Sequence, residues 1–468
     1  MRRLLFLLLL LLICLPTTKA IGQSGVNYPE YTIQPGDSLG YISSLFGTTV
    51  EDIVSVNGLS DPDLVSPGQV IKIPSFPDYN GKLEIIITDL GESFSLLPVK
   101  YQIDEQSLIT INKVLSPSQI YVGSRLIMLL PDEVASIQPV ARLGTTNSLL
   151  ESSIEKSVNP YTFSLVNQQS NMNFFLPDDV LFAPTSNEKP GIDLYAPELL
   201  DVQLYPLPLV QGGTAVFGVI STQAVKLSGS IGESQLTFFS TTPGEYFALQ
   251  GIHALANPGL VDLTLNVTRE DGIVNTYSQQ VLITAGIFDE DPPLTVDPAT
   301  IDPSITEPEN ELVYELISQK TPTRHWSGAF SSPAYYQEYN SLYGTRRKYN
   351  DDPKLYFHTG VDFAGGLTLP ITAPAAGQVI FAGPLTVRGN AVFIDHGWGV
   401  FSGFFHQDTL KVKVGDIVKI GQQIGTVGNT GRVNGAGDYY GAGAHLHWEI
   451  WVNGVQVDPL DWLLREYP

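Results

Sequence analysis

The sequence predicts a mainly β protein of several domains, in which short strands outnumber helices. The chain has 468 residues, which is too long for one ordinary domain. Its 43 glycines and 33 prolines favour many turns between short strands. A repeat near the N-terminus and a cluster of histidines near the C-terminus indicate different tasks for the two ends. We therefore expect repeated modules first, an antiparallel β domain in the middle and a chemically active domain last.

Negative charge is concentrated in the front of the chain. Residues 21–324 hold 12 Lys or Arg against 36 Asp or Glu, a balance of −24. Residues 325–468 hold 10 against 12, a balance of −2. Such an acidic front is repelled by nucleic acid and by anionic lipid headgroups. Both are therefore excluded as expected partners.

Residues 1–20 have the pattern of a secretory signal peptide. A basic start precedes an apolar run over residues 4–15 and a Thr-Lys-Ala cleavage site ending at residue 20. The run is shorter than the roughly 20 residues that cross a bilayer. An uncleaved anchor, or lipidation at Cys14, are the less favoured alternatives. We expect a secreted protein of the cell envelope that is not inserted in a membrane and that lacks thiols once the signal is removed.

Residues 29–76 predict a strand, two helices and a strand. The ends are rich in β-branched residues, the middle carries apolar residues at helical spacing, and Asp37 or Ser38 can cap the first helix. The segment resembles a LysM module, a family that binds the N-acetylglucosamine backbone of peptidoglycan or chitin. The resemblance implies glycan binding by this module.

The module recurs with a period of 55 residues. This period predicts further copies at 84–131 and 138–185, both altered from the family pattern. For these later copies, glycan binding and a spacer role both stay open. Equivalent serines and asparagines mark the register: Ser38, Ser93 and Ser148, and Asn57, Asn112 and Asn167.

Two further segments separate the repeats from the end of the chain. Residues 195–286 contain short alternating apolar runs between glycine-rich turns, which predict an antiparallel, Ig-like β-sandwich. Residues 287–323 have the composition of an acidic, proline-rich linker that either stays extended or lies along a neighbouring domain, with a short helix over 311–318 at its end. Within it, residues 289–311 hold eight acids and no base.

Two histidine motifs in the last third have the composition of a metal site. His358 and Asp362 flank Gly360 and can converge if the chain bends there. His445 and His447 lie two apart on an alternating strand, so both rings face one side. Two histidines and a carboxylate form the ligand set of a catalytic zinc site, which acidifies a bound water to a pKa of about 7.

Residues 340–463 resemble the lysostaphin-type (LytM) zinc endopeptidases of the peptidoglycan cell wall. The resemblance implies that residues 324–468 form an antiparallel β peptidase domain of the duplicated hybrid-motif type. It rests on several motifs in order: His358 with Asp362, residues 394–397, His406, residues 414–418, residues 445–449, residues 452–454 and residues 457–459.

The resemblance also implies a role for each site residue. The zinc ligands are His358, Asp362 and His447. His445 is the base that takes a proton from water, and His406 orients that water or stabilises the oxyanion.

Further side chains are candidates for supporting roles. Glu449 shares the face of His445 and His447, so it either orients one of them or occupies an ordinary surface position. Tyr439 and Tyr440, in a long Gly- and Tyr-rich loop, and also Tyr349 and Tyr356, are candidates for substrate or oxyanion contact. His396 is expected to support a turn.

These observations favour a secreted endopeptidase with one zinc ion, which hydrolyses peptide bonds in peptidoglycan stems or cross-bridges while LysM modules hold the glycan. One alternative is a non-catalytic activator of other murein hydrolases, since some relatives of that kind have lost metal ligands. Another is a purely wall-binding protein, which leaves the histidine cluster unexplained. The complete ligand set favours the enzyme.

Overall fold

The computed structural model describes most of the chain after the predicted signal peptide. The described residues are 26–77, 79–116, 119–131, 136–143, 148–169, 175, 179–184, 199–336, 338–350, 352–433 and 443–468. They form two compact units: residues 26–86, 101–113 and 127–131 make the first, and the remaining residues make the second. Within these ranges, no helix is long and apolar enough to cross a membrane.

The first two copies of the repeat each consist of two short strands and two short helices. A four-stranded sheet has the order β2-β1-β3-β4. Ser38 begins the first helix by accepting a hydrogen bond from the Tyr41 N–H at 3.2 Å. In chain order the segments are β1 (Glu30–Thr32), α1 (Leu39–Phe46), α2 (Val50–Asn57), β2 (Val70–Lys72), β3 (Lys82–Ile87), α3 (Leu96–Tyr101), α4 (Glu105–Asn112) and β4 (Arg125–Leu130).

The same strand-helix-helix-strand order occurs a third time, as β5 (Ile137–Arg142), α5 (Leu149–Glu155), α6 (Pro160–Val166) and β6 (Val180–Pro184). In each copy an asparagine at the end of the second helix accepts from and donates to the backbone of the residue 15 positions later, at 2.7–2.8 Å. The amide thereby satisfies both the N–H and the C=O group of one residue of the closing strand. The pairs are Asn57 with Lys72, Asn112 with Ile127, and Asn167 with Phe182.

The middle of the chain forms two facing β-sheets. Their strand orders are β11-β10-β14-β15-β8 and β12-β13-β9-β7. Buried apolar side chains fill the space between them, and Leu90 and Val122 from the second copy of the repeat join the same core. The strands are β7 (Leu199–Tyr205), β8 (Leu209–Val210), β9 (Thr214–Ser221), β10 (Lys226–Ile231), β11 (Ser234–Leu236), β12 (Phe239–Thr242), β13 (Glu245–Gly251), β14 (Gly259–Thr268) and β15 (Val274–Thr284).

The acidic segment differs from the extended arrangement, one of the two predicted for residues 287–323. After a 3₁₀ turn (Pro298–Thr300) it forms a 15-residue helix, α7 (Pro303–Ile317), where the sequence predicted a short helix over 311–318. Proline is acceptable at the first helical position, and Asp302 caps it. Glu309, Val313 and Ile317, spaced four apart, are buried against the last domain. Packing of this stripe outweighs the charge repulsion that favours an extended chain.

The last domain is built on one large antiparallel sheet. Its main path is β16-β19-β26-β23-β22-β21-β24, with β20, β25 and β27 attached and β17 paired with β18. The segments are β16 (Tyr339–Ser341), β17 (Arg346–Arg347), β18 (Tyr356–Phe357), β19 (Val361–Ala364), β20 (Pro370–Thr372), β21 (Gly377–Leu385), β22 (Gly389–Gly397), β23 (Val400–Leu410), β24 (Ile417–Val418), β25 (Gln423–Val427), β26 (His445–Val452), β27 (Val455–Val457) and α8 (Pro459–Leu464).

The sandwich and the last domain share a hydrophobic core. The indole of Trp398 stacks on Phe239 and Phe247, at ring distances of 5.7 and 6.2 Å. Val216 and Leu249 of the sandwich belong to the same buried cluster. The predicted sandwich is therefore joined to the histidine-bearing domain by apolar packing.

Candidate metal centre

Three side chains converge on one point of the large sheet, where β19 pairs with β26. The Nε2 atom of His358 lies 3.0 Å from Asp362 Oδ1 and 3.0 Å from His447 Nδ1. The Nδ1 atom of His447 lies 2.7 Å from Asp362 Oδ1. All three residues are buried, with exposed fractions of 2–8%. Among the described residues they form a group that could hold a metal ion.

Strand register brings these residues together across 85 positions of sequence. In the antiparallel pair β19–β26, Asp362 lies directly opposite His447. Side chains at such a pair of positions share one face of the sheet. His358 reaches the same point because the chain passes closely over β26 at Gly360, where a Cβ would meet the carbonyl of Trp448 and the ring of His447. The φ angle of Gly360 is an ordinary one, so a left-handed backbone does not explain the glycine. Glycine is needed here because the two chain segments approach closely.

Hydrogen bonds fix which ring nitrogen of His358 and of His447 faces the point of convergence. His358 Nδ1 lies 3.0 Å from the carbonyl oxygen of Leu342, so Nδ1 carries the proton and Nε2 presents its lone pair. His447 Nε2 lies 3.0 Å from a Glu449 carboxylate oxygen, so Nδ1 faces the centre. Two lone pairs and the carboxylate of Asp362 thus point at one another, an arrangement that requires a proton or a cation between them.

Without a cation, the charge balance of this cluster favours a proton on His447. Burial lowers the pKa of His447, but hydrogen bonds from its ring to the carboxylates of Asp362 and Glu449 outweigh burial and raise the pKa to about 9. Burial alone raises the pKa of Asp362, yet the two histidines hold it well below its usual range. The donor set therefore suits a small divalent cation with nitrogen and oxygen ligands.

His445 lies beside the three converging residues. Its Nε2 atom is 3.5 Å from Asp362 Oδ1, and its Nδ1 atom is 2.7 Å from the carbonyl oxygen of Gly443. A carbonyl can only accept, so Nδ1 carries the proton and Nε2 is the basic nitrogen. His445 is two residues from His447 on β26, so the two side chains lie on the same face of the strand. Its side chain is 13% exposed.

His406 reaches the same place through a bulge in β23. Val392 pairs with Phe404 and Asn390 with Gln407, so two residues of β23 oppose one residue of β22. His406 adopts a left-handed backbone with φ of 60°. The irregularity lets Phe405 stack on His447 while the ring of His406 lies 4.8 Å from that of His445.

Hydrogen bonds also orient His406. Its Nδ1 atom donates to the carbonyl oxygen of Thr430 at 2.7 Å, and its backbone N–H donates to the Arg388 carbonyl at 3.0 Å. Burial, with the neighbouring His445 and His447, lowers the pKa of His406 well below its ordinary value. The ring is therefore neutral at pH 7, and its Nε2 atom is an acceptor.

Glu449 occupies a buried position, with 2% exposure, rather than a surface one. One of its carboxylate oxygens accepts from His447 Nε2 and from the hydroxyl of Thr359. The other accepts from the Gln456 amide at 3.2 Å. Of the two interpretations left open by the sequence, this geometry corresponds to the orienting one.

The remaining candidates fall into three groups. His396 is fully buried away from the cluster, with Nδ1 bonded to the Ala376 carbonyl and Nε2 to the Ser402 hydroxyl, both at 2.8 Å. Tyr356 donates its hydroxyl to Asp352 at 2.7 Å, and the ring of Tyr349 lies 5.0 Å from that of Tyr356. Tyr439 and Tyr440 lie outside the described residues.

Sequence reasoning missed a basic side chain beside the centre. The guanidinium of Arg347 lies 3.7 Å from Asp362 Oδ2. The Arg346-Arg347 pair is a visible signal in an acidic chain, but neighbouring residues of a strand face opposite sides. Only the register of β17 against β18, with Arg347 opposite Tyr356, decides which arginine turns toward the centre.

Comparison with known proteins identifies two kinds of domain. Residues 356–459 match the model of peptidase family M23, and residues 31–74 and 90–128 match the LysM domain model. The three converging residues, His406 and His445 all lie inside the first match.

Curated relatives are similar to about a quarter of the chain. The peptidoglycan DD-endopeptidase ShyC of Vibrio cholerae is 34% identical over 128 residues, which is 27% of this chain and 28% of that protein. The DD-carboxypeptidase/endopeptidase Mpg of Neisseria meningitidis is 35% identical over 28% of this chain and 29% of that protein. The murein hydrolase activator NlpD of Salmonella typhimurium is 37% identical over 22% of this chain and 26% of that protein.

The alignments therefore span less than a third of each relative's length. The fold is mainly β, with a LysM-like N-terminal region and a C-terminal domain that matches peptidase family M23, as the sequence predicted. The chain thus carries LysM domains at residues 31–74 and 90–128 and a peptidase family M23 domain at residues 356–459.

Proposed function

We propose that this protein is a secreted zinc endopeptidase that hydrolyses peptide bonds in the stems or cross-bridges of peptidoglycan. The observation that carries the proposal is the convergence of one carboxylate oxygen and two imidazole nitrogens within 3.0 Å of one another. The names of the ShyC and Mpg relatives support the substrate class.

The proposed ligands of one zinc ion are His358, Asp362 and His447. Two histidines and one carboxylate are a ligand set of catalytic zinc, which keeps a position for water. When bound, zinc polarises the scissile carbonyl and lowers the pKa of water.

The chain's own residues then move and hold protons. His445 accepts the proton of the attacking water on Nε2, because its Nδ1 is committed to the Gly443 carbonyl. His406 orients that water by accepting through Nε2. Since the Thr430 carbonyl fixes the proton of His406 on Nδ1, a neutral His406 is better suited to this task than to donating to an oxyanion.

The LysM domains are proposed to hold the glycan strand while the peptidase domain acts on peptides. Linking a weak binder to an enzyme raises the local concentration of the enzyme on a polymer. Export by a signal peptide over residues 1–20 places the protein where this substrate occurs.

The second candidate function is activation of other murein hydrolases without catalysis. It is favoured by the 37% identity to NlpD, which is named as an activator. The complete set of potential ligands in this chain favours catalysis, because an activator has no chemical need for a metal centre and an adjacent base.

The test separates metal binding from proton transfer. His447→Ala is expected to lose both zinc and hydrolysis, since it removes a ligand. His445→Ala is expected to retain zinc but lose 10²- to 10⁴-fold in rate, since it removes only the base. Zinc content after dialysis and fragments released from purified sacculi, identified by mass spectrometry, measure the two effects.

Equal zinc loss in both variants would contradict this division of roles. If the zinc-loaded wild type releases no fragments by itself but accelerates a purified amidase on the same sacculi, the activator is correct instead.

A further inference from the structure

The two carboxylate oxygens of Asp362 have different surroundings. Oδ1 faces the nitrogen atoms of His358 and His447, at 3.0 and 2.7 Å. Oδ2 faces the guanidinium of Arg347, with Nη2 at 3.7 Å. The Asp362 and Arg347 side chains are each only 12% exposed, so water competes little for either group. The arginine therefore restrains the oxygen that the centre does not use.

Arg347 is itself held on its other sides. Its Nε donates to Asp291 Oδ2 at 2.9 Å, and its Nη2 donates to the Ser341 hydroxyl at 2.6 Å. The guanidinium is a planar fork, so two such bonds fix its orientation as well as its position. Its direction toward Asp362 is thus set before any ion binds.

The acidic segment aims Asp291 at this arginine through main-chain hydrogen bonds. The N–H of Arg346 donates to the carbonyl of Asp289 at 2.8 Å, and the N–H of Asp291 donates to the carbonyl of Arg346 at 2.9 Å. Residues 289–291 therefore run alongside β17 in parallel, as the bridge between Glu290 and Arg346 also indicates. Residues 289–291, which were predicted to belong to a linker, thereby contact Arg347, whose guanidinium faces Asp362.

Charge compensation explains how an arginine can lie next to a cation site. An isolated guanidinium would repel a divalent ion across this short distance. Asp291, whose side chain is 29% exposed, is paired with Arg347 at 2.9 Å and offsets that charge. The Arg347–Asp291 pair can then orient Asp362 without strongly repelling the ion.

We propose that Arg347 and Asp291 are positioning residues for the metal ligand Asp362, and that the metal centre accordingly extends upstream of the matched domain at residues 356–459. This inference rests on the proposed metal centre and deepens it. Groups that orient metal ligands typically change metal affinity 10- to 100-fold when removed. Their action is on ion binding, so the expected effect appears without any measurement of catalysis.

The experiment measures the zinc dissociation constant by competition with a chromophoric chelator, using the full chain. Arg347→Met is expected to weaken zinc binding 10- to 100-fold, because Asp362 Oδ2 loses the charged group that orients it. Arg347→Lys keeps the charge but loses the fork, and it is expected to weaken binding by a similar factor. Asp291→Asn leaves an uncompensated arginine and is expected to weaken binding about 3- to 10-fold.

Arg465→Met serves as the matched control. Arg465 also pairs with an aspartate, Asp461, at 2.9 Å, but its side chain is 51% exposed at the end of α8. Its removal is expected to leave zinc affinity unchanged. Thermal melting of each zinc-free variant checks folding, and the conservative Asp291→Asn keeps the test open if Arg347→Met does not fold.

The outcomes separate the two proposals. Tighter zinc binding by Arg347→Met would mean that the arginine acts only as a repelling charge, and would overturn the positioning role. Unchanged affinity in Arg347→Met and Asp291→Asn would overturn it as well, while leaving the zinc centre intact. If the wild type binds no zinc, or binds it as well as His447→Ala does, the metal centre proposed above fails.

Discussion

At the scale of single residues, the absence of a side chain at Gly360 matters as much as the proposed metal ligands do. A Cβ at this position would meet the Trp448 carbonyl, the Glu449 side chain and the ring of His447. The crowded atoms are backbone and buried groups, which cannot yield easily.

Gly360→Ala is therefore expected to lower the free energy of unfolding by about 1–3 kcal/mol and to weaken zinc binding, because His447 must move. Urea denaturation and chelator competition measure the two effects. Gly366→Ala is the matched control, since a Cβ there has no atom within 4 Å. Equal behaviour of the two variants would show that close approach at Gly360 is not required.

His396 offers a pH-dependent contribution to stability that is separate from the metal centre. Burial lowers its pKa to about 4, although the bond to the Ala376 carbonyl opposes this shift. In the unfolded chain its pKa returns to about 6.5, so the unfolded state binds more protons between these values. The contribution of neutral His396 to the free energy of unfolding is therefore complete above pH 6.5 and is lost as the pH falls toward 4.

We expect the free energy of unfolding to fall by on the order of 2–3 kcal/mol through this effect. His396→Gln should not show this fall, because glutamine does not titrate. The stability difference between wild type and His396→Gln should therefore narrow as the pH falls from 7 to 4.5. Urea unfolding with a chelator present, followed by tryptophan fluorescence, measures it, since all five tryptophans lie from Trp326 onward. Parallel stability curves would contradict the assignment.

At the scale of structural elements, α7 connects the acidic segment to the histidine-bearing sheet. The buried carboxylate of Glu309 accepts from the N–H groups of Val387 and Arg388, at 2.8 and 3.2 Å, and from the Arg388 guanidinium at 2.9 Å. The carbonyl of Arg388 in turn accepts from the His406 N–H. The helix thus supports the turn that holds His406.

Glu309→Ala is expected to lower the free energy of unfolding by about 3–5 kcal/mol, because it removes the acceptor of two N–H groups and the ion-pair partner of Arg388. Among the described residues, the Arg388 guanidinium then keeps only the amide oxygen of Asn310 as an acceptor. Thermal denaturation measures this loss. Glu307→Ala, at an exposed position on the same helix, should change stability by less than about 0.5 kcal/mol. Similar melting of both variants would mean that α7 is not anchored through Glu309.

At the scale of the whole molecule, part of the second copy of the repeat belongs to the second compact unit, whereas the first copy does not. Leu90 and Val122 of the second copy belong to the sandwich core, and Gln279 bonds the backbone of Gly91 and Glu92 at 2.7 and 2.9 Å. Removing the second copy therefore exposes part of that core, whereas residues 26–76 lie wholly in the first unit.

Deleting residues 21–76 is accordingly expected to weaken pelleting with sacculi while sparing cleavage of a small soluble peptide, because it removes the first LysM domain and leaves the second compact unit intact. Deleting residues 21–185 is expected to lower the melting temperature as well, by roughly 2–4 °C for each kcal/mol lost. Undiminished pelleting of the shorter deletion would show that this LysM domain does not hold the glycan.

Local patterns were sufficient to predict much of this organisation. The 55-residue period anticipated the recurring asparagines, because each copy closes with the same local hydrogen bonds. The two-residue spacing of His445 and His447 anticipated a shared face, because strand geometry has a fixed period. The sequence predicted only a short helix over 311–318 in the acidic segment, because composition does not reveal the sheet that buries Val313 and Ile317.

By itself the sequence determined the mainly β class, the LysM and peptidase motifs and the residue types of a metal site, since these depend on local periodicity and composition. Only the tertiary structure decided that Asp362 lies opposite His447, that a bulge brings His406 to His445, and that Arg347 rather than Arg346 faces the carboxylate. Each of these depends on register between strands distant in sequence, where a slip of one residue turns a side chain to the other face.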